Sequence, residues 1–115
     1  MSEANTELIK LLKIISDDTR LNILEQLKDD SKSSKQLEEI LGKKQSTISH
    51  HLNTLIEANL IESQIREIDK KNINFYRIKN EEILKLLSQI RNFVENLNSK
   101  EFLERKKRGL YDILS

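Results

Sequence analysis

Only Lys43 and Lys44 stand between Gly42 and the run Gln45-Ser46-Thr47-Ile48-Ser49-His50-His51-Leu52-Asn53-Thr54-Leu55. That spacing demands a tight turn between two helices. Upstream, Ser33 and Gln36 form a capping-box pair that opens a helix whose Leu37, Ile40 and Leu41 face inward. Gly42 falls where a left-handed C-terminal cap is wanted. Downstream, Ile48, Leu52 and Leu55 follow i, i+4, i+7 and form one apolar stripe, while Ser46, Thr47, Ser49, His50 and Asn53 fall on the other side. One face packs and the other is left free. Its side chains are short, uncharged and able to donate and accept hydrogen bonds, which suits a helix that approaches base edges closely in a major groove. From Gly42 to Ile56 the only charges are Lys43 and Lys44, so no acid repels phosphate there. Helix, glycine turn, helix is the helix-turn-helix pattern, in which the second helix enters the groove.

Two short helices are expected ahead of this pair. Leu8, Leu11, Leu12 and Ile15 mark a first amphipathic helix from about Asn5, and Ser16-Asp17-Asp18 supplies cap-type residues for a second. The second carries Leu21, Leu24 and Leu27 with Ile23 beside them, and ends in Lys28-Asp29-Asp30-Ser31. After Glu57-Ala58-Asn59 the period changes. Ile61, Ser63 and Ile65 alternate with Glu62, Gln64 and Arg66, and a second strand follows at Ile73-Asn74-Phe75-Tyr76-Arg77-Ile78. The connection, near Glu67 to Asn72, places Asp69-Lys70-Lys71-Asn72 at the tip of a β-hairpin. A hairpin directly after such a helix is a wing. Lys70 and Lys71 have two readings there: keeping an exposed edge strand soluble, or contacting phosphate or the minor groove.

In the last third, Ile83, Leu87, Ile90, Val94 and Leu97 are spaced as in a heptad seam, with Leu84, Leu86 and Phe93 widening it. So narrow a stripe calls for another helix, from its own domain, a second chain or both. Asn98-Ser99-Lys100-Glu101 contains a capping pair where the seam fails, leaving open whether this is one helix or two. Arg105-Lys106-Lys107-Arg108 before Gly109 reads either as a nucleic-acid patch or, preferably, as the cations of a helix C-terminus. Leu110, Tyr111, Ile113 and Leu114 are expected either to fold back onto the body or to fray.

Composition narrows the function classes. A chain of 115 residues with 34% charged and 4% aromatic residues fits one domain, 1–115, with a core of Leu and Ile. It divides into a first helix (5–16), a helix-turn-helix core with wing (17–79) and a last helix with tail (80–115). The formal net charge is +1, so any case for nucleic acid rests on how charge is distributed. There is no cysteine, hence no disulfide and no thiolate ligand. No apolar run approaches the ~20 residues of a membrane span, and the polar start lacks the basic and apolar regions of a signal peptide. A soluble, cytoplasmic protein without cofactors is expected. Nothing points to an enzyme: there is no glycine-rich phosphate loop, no Cys nucleophile and no evident Ser/His/Asp set. His50 and His51, the only histidines, diverge by about 100° on a helix and do not converge on one ion. No metal site is expected. His51 lies at the core edge between Ile48 and Leu55, whereas His50 shares a side with Ser46 and Asn53.

Asp17-Asp18-Thr19-Arg20-Leu21-Asn22-Ile23-Leu24, Gln45-Ser46-Thr47-Ile48-Ser49-His50-His51-Leu52, Ala58-Asn59-Leu60-Ile61 and Phe75-Tyr76-Arg77-Ile78 resemble, in order and spacing, the arsenic-repressor (ArsR) type of winged helix-turn-helix transcription regulator. The resemblance spans about Leu8 to Leu97. It implies a homodimer joined by the first and last helices, with Leu8, Leu12, Ile83, Leu87, Ile90, Val94 and Leu97 at the interface. It also implies two reading helices in successive major grooves of a palindromic site, with wings beside them. The chain departs from the pattern at Lys43 and Lys44, where many members carry an apolar residue and a small polar cap. Losing that cap costs about 1 kcal/mol unless Gln45 or Ser46 replaces it. The family's metal sensors use cysteines on the helix corresponding to Ser34–Leu41, or His with carboxylates on the last helix. Neither set is present.

The expected fold is therefore mainly α with a small antiparallel β-hairpin, in the order α-α-α-α-β-β-α, with dimerising terminal helices. The expected function is sequence-specific binding of double-stranded DNA by a homodimeric transcription regulator, a repressor that occludes its promoter. Gln45, Ser46, Thr47, Ser49, His50 and Asn53 would read sequence, and Lys43, Lys44, Lys70 and Lys71 would supply the salt-dependent attraction to phosphate. Repression versus activation, the operator and the effector are open. The competing class is a winged-helix protein-interaction module that uses its coiled-coil-like last helix.

Overall fold

The structure is a computed structural model; it describes residues 2–99 and Glu104. The chain divides into two compact units, one ending at Glu81 and the other beginning at Glu82.

In the first unit, α1 spans Glu3–Ile15 and α2 spans Asp18–Gln26. Helix α1 begins two residues ahead of the expected Asn5, because the Ser2 hydroxyl accepts the Asn5 N–H at 3.2 Å and caps it. The Asp17 carboxylate does the same for α2, accepting from the Arg20 N–H at 3.0 Å. A two-residue strand, β1 (Lys32–Ser33), leads into α3 (Ser34–Leu41). The capping box at its start is complete: Gln36 N–H donates to Ser33 Oγ at 3.2 Å, and Ser33 N–H donates to Gln36 Oε1 at 2.8 Å. Gly42 ends α3 in the left-handed region, φ 64° and ψ 36°, where a Cβ is disfavoured.

Helix α4 (Gln45–Glu57) is followed by strands β2 (Ile61–Ile68) and β3 (Lys71–Ile78). Its C-terminus closes as a Schellman motif. Asn59 takes φ 61°, its N–H donates to Ile56 O, and the Leu60 N–H donates to Leu55 O, while Leu55 and Leu60 are both buried. That closure puts Ile61 at once into the sheet.

The core of this unit is aliphatic: Ile15, Ile23, Leu24, Leu27, Leu37, Ile48, Leu52, Leu55, Leu60 and Ile61 are all buried. Each such side chain contributes roughly 1.5–3 kcal/mol by leaving water. Ile40 corrects the inward face expected of α3, being 48% exposed. On so short a helix Leu37 and Leu41 share a side, and Ile40 lies about 100° from Leu41. The sheet also gains a strand that no periodicity announces, since β1 pairs antiparallel with β3 through Lys32 opposite Tyr76 and Ser33 opposite Phe75. The order is β1-β3-β2.

The hairpin is longer than expected and its turn tighter. Pairing runs from Ile61 opposite Ile78 to Ile68 opposite Lys71, so only Asp69 and Lys70 form the loop. Both have positive φ, 51° and 65°, the handedness that matches the twist of two paired strands. Lys71 consequently opens β3 instead of sitting at the tip.

The second unit contains α5 (Glu82–Leu97). Ile83 and Leu87 are buried, whereas Leu86, Ile90, Phe93, Val94 and Leu97 are exposed. The Asn98 N–H closes the last turn on Val94 O at 3.1 Å. The Glu101 end of the expected capping pair, the basic run Arg105–Arg108 and the apolar residues Leu110 to Leu114 lie outside the described residues. Among the described residues, no helix is long and apolar enough to cross a membrane.

Candidate nucleic-acid interface

Burial of Ile48, Leu52 and Leu55 fixes the rotation of α4. Ser46, Ser49, His50 and Asn53 then fall within an arc of about 100° on the opposite side. Gln45, Ser46, His50 and Asn53 are exposed, and Thr47 and Ser49 are half-buried. The structure therefore brings all six expected reading residues to the surface of one helix, with Thr47 at the margin of the arc.

Lys43 and Lys44 are both exposed at the start of this helix. Lys44 is the N-cap residue, with extended backbone (φ −69°, ψ 153°) and no side-chain hydrogen bond to the first turn. Neither Gln45 nor Ser46 replaces the missing cap. The N-terminal N–H groups of α4 thus lack the acceptor that Ser33 and Asp17 give to α3 and α2, and two cations flank them. Unsatisfied N–H groups at a helix start favour an anion.

The two histidines separate as their spacing requires. His50 is exposed, and the ring centroids lie 5.2 Å apart with the planes tilted by 59°. His51 turns towards α2, where Arg20 Nη1 approaches its Nδ1 at 2.9 Å. The same guanidinium donates from Nε to the Ile14 carbonyl and from Nη2 to the Lys13 carbonyl at 3.4 Å. A guanidinium only donates, so Nδ1 must accept, which makes His51 neutral with its proton on Nε2. Burial depresses the His51 pKa below its ordinary 6.5; the Asp17 carboxylate, 3.9 Å away, opposes this, while the charges of Arg20, His50 and Lys43 reinforce it. Asp17 is itself held below its usual value, chiefly by the hydrogen bond from the Arg20 backbone N–H. Sequence spacing placed His51 at the core edge, and its partnership with Arg20, 31 positions away, explains how it is satisfied there. Among the described residues no cluster of His, Asp and Glu is arranged to hold a metal ion.

The wing is braced on its far face. Arg66 lies over the Phe75 ring at 4.6 Å and donates to Ser31 Oγ at 2.7 Å, and Arg77 Nε donates to Glu62 at 2.7 Å. Lys70 is exposed in the turn and Lys71 exposed beside it. Between α3, the start of α4 and β3 runs a solvent-open cleft of about 530 Å³, lined in part by Gln45 and Ser49. Sequence reading missed the wing residues on its other wall, Asn72, Asn74 and Tyr76. Their two-residue spacing was the available signal, since alternate strand residues share a face.

Residues 17–63 match the model of the bacterial regulatory protein, arsR family. A search of curated proteins by sequence finds none that matches. Solved structures do. Rv0081 of Mycobacterium tuberculosis superposes with a TM-score of 0.77 at 22% identity, over 88% of this chain and 98% of its own. The homodimeric winged helix-turn-helix DNA-binding domain of Mb0332 from Mycobacterium bovis gives 0.68 at 21%, over 83% and 88%. The transcriptional repressor BigR from Xylella fastidiosa gives 0.63 at 28%, over 85% and 93%. Residues 17–63 are thus similar to the ArsR family of bacterial regulators, and the chain has a winged-helix fold of the kind these structures share.

Proposed function

We propose that this protein is a sequence-specific DNA-binding transcription regulator, a homodimeric repressor that occupies a palindromic operator through the 45–55 helix and the 66–72 wing. The observation that carries this reading is the outer arc of α4, which is acid-free from Gln45 to Asn53. Ser46, Ser49, His50 and Asn53 can approach base edges there, with Lys43 and Lys44 beside the uncapped helix start. Phosphate attraction fixes the register, and the short polar side chains discriminate sequence. Dimerisation is supported by the exposed Leu8 and Leu12 of α1 and by Ile90, Val94 and Leu97 of α5, together with the homodimeric state of the Mb0332 domain. Repression follows the description of BigR and the bulk of a dimer sitting on a promoter.

Selection of bound duplexes from a random pool at two salt concentrations, with mass measured by light scattering, tests this directly. A dimeric mass and an enriched inverted repeat with half-sites about one helical turn apart are expected. The exposed apolar stripe of α5 favours a second reading, a protein-interaction module. Absence of enrichment at either salt would select that reading.

A further inference from the structure

The cleft between helix and wing has a polar wall that the reading helix does not account for. Asn72, Asn74 and Tyr76 line it from β3, opposite Glu67, Ile65 and Ser63 of β2 in the hairpin register. Their side-chain amides and hydroxyl make no hydrogen bond to another described residue. Lys35 and Glu38 line it from α3, and Gln45 and Ser49, one helical turn apart, from α4. Small-molecule pockets are enclosed and mostly apolar; this cleft is open, and amides and hydroxyls make up most of its lining, beside one lysine, one glutamate and Ile73. Protein–DNA hydrogen bonds go largely to phosphate and sugar, and come from just such side chains. A helix lying in a major groove also has a sugar–phosphate strand passing along each flank. On the flank bearing Gln45 and Ser49, the open space is this cleft.

We propose that the cleft seats one sugar–phosphate strand of the bound duplex, with Asn74 and Tyr76 donating to phosphate oxygens and Lys35 supplying the nearby cation. The assignment rests on the DNA-binding reading above. It makes the root of the wing, and not only its tip, part of the interface. Glu38, which accepts from the Ser34 hydroxyl at 3.3 Å, is the one acid in the cleft and repels the strand. It restrains affinity at that wall.

Two fluorescent duplexes serve as probes, one of random sequence and one of the sequence enriched by selection, each titrated across a salt series. Asn74→Ala and Tyr76→Phe each weaken both probes by about three- to tenfold, because a phosphate contact acts on every sequence. Lys35→Ala lowers the slope of log affinity against log salt by about 1. Glu38→Gln strengthens binding, a direction that loss of folding would not produce. Circular dichroism checks that each variant keeps the parent helix content. If Asn74→Ala and Tyr76→Phe bind like the parent while Lys44→Ala loses affinity, the cleft assignment is overturned and the DNA reading stands. If the parent binds neither probe, the DNA reading falls and the cleft assignment with it.

Discussion

Arg20 Nη1 lies 2.9 Å from Nδ1 of His51, and through the same guanidinium it holds the carbonyls that end α1. One side chain therefore joins the end of the first helix, the start of the second and the middle of the helix assigned to DNA. The bond exists only while His51 is neutral. Its folded-state pKa is depressed, mainly by burial, so the unfolded chain binds the proton more readily. Stability from this group is complete above the ordinary value of 6.5 and is lost as pH falls from there through the folded-state value. Asp17, also depressed, stays ionised in that window. Thermal unfolding should show a lower midpoint at pH 5.5 than at pH 7.5. His51→Gln, whose amide oxygen can still accept from Arg20, should flatten that difference. An equal drop in the variant would show that the pH sensitivity comes from elsewhere.

Lys44 is expected to trade folding stability for binding. It occupies an N-cap position and supplies no cap, whereas Ser or Asp there would accept a first-turn N–H. Lys44→Ser should stabilise the protein by about 1 kcal/mol in urea unfolding. The same change removes a cation beside the helix start, so affinity for all duplex sequences should fall and its salt dependence become shallower. Opposite signs in the two measurements are the expected signature; a variant less stable than the parent would contradict the cap geometry.

At the wing tip, Asp69 and Lys70 both hold positive φ. Asp tolerates this region better than Lys, whose Cβ crowds the backbone there. Replacing the pair by Asn-Gly, the preferred sequence for such a two-residue loop, should stabilise the protein by roughly 1 kcal/mol without altering strand register. Denaturant unfolding gives the sign. A loss of stability would mean that the turn is held by contacts of the Asp69 or Lys70 side chain.

What could be read from sequence depended on how local its cause was. The capping box of Ser33 and Gln36, the left-handed Gly42 and the stripe of Ile48, Leu52 and Leu55 are set within one or two helical turns. All three occur in the structure as the spacing predicts. Strand β1 is only Lys32 and Ser33, too short for any period, and exists because β3 offers them partners. Ile40 fitted an apolar pattern and is exposed nonetheless, since which flank of a short helix packs is decided by its neighbours. The six candidate reading residues were visible as one face of α4. Spacing could mark Asn74 and Tyr76 as one face of a strand, but that this face lines a cleft with α3 and α4, and that Arg20 partners His51, depend on contacts between distant segments that one-dimensional spacing does not encode.

Asn53 sits at the centre of the exposed arc of α4, and its amide can pair with both N6 and N7 of adenine. Asn53→Ala should change the selected sequence at one position of each half-site, with a cost of about 1–3 kcal/mol against the parent operator and little change on random duplex. Repeating the selection with the variant reads this out. An unchanged consensus would remove Asn53 from the set that discriminates bases.

The last helix makes the dimer testable without DNA. Leu86, Ile90, Phe93 and Leu97 recur at helical spacing, and all are exposed, Phe93 by 63%. Two positions outside the original heptad seam, Leu86 and Phe93, thus belong to the uncovered stripe. An apolar stripe of this width is costly to leave in water and is covered by a second copy in the proposed dimer. Ile90→Glu together with Phe93→Glu places charge on that surface in each protomer and should shift the sedimentation mass from dimer to monomer at micromolar concentration. Helix content should be retained, because both residues are already exposed in the single chain. Avidity for an inverted repeat should collapse in the same variant, while weak binding to a single half-site persists. Tight binding of the inverted repeat by a monomeric variant would break the link between this stripe and operator recognition.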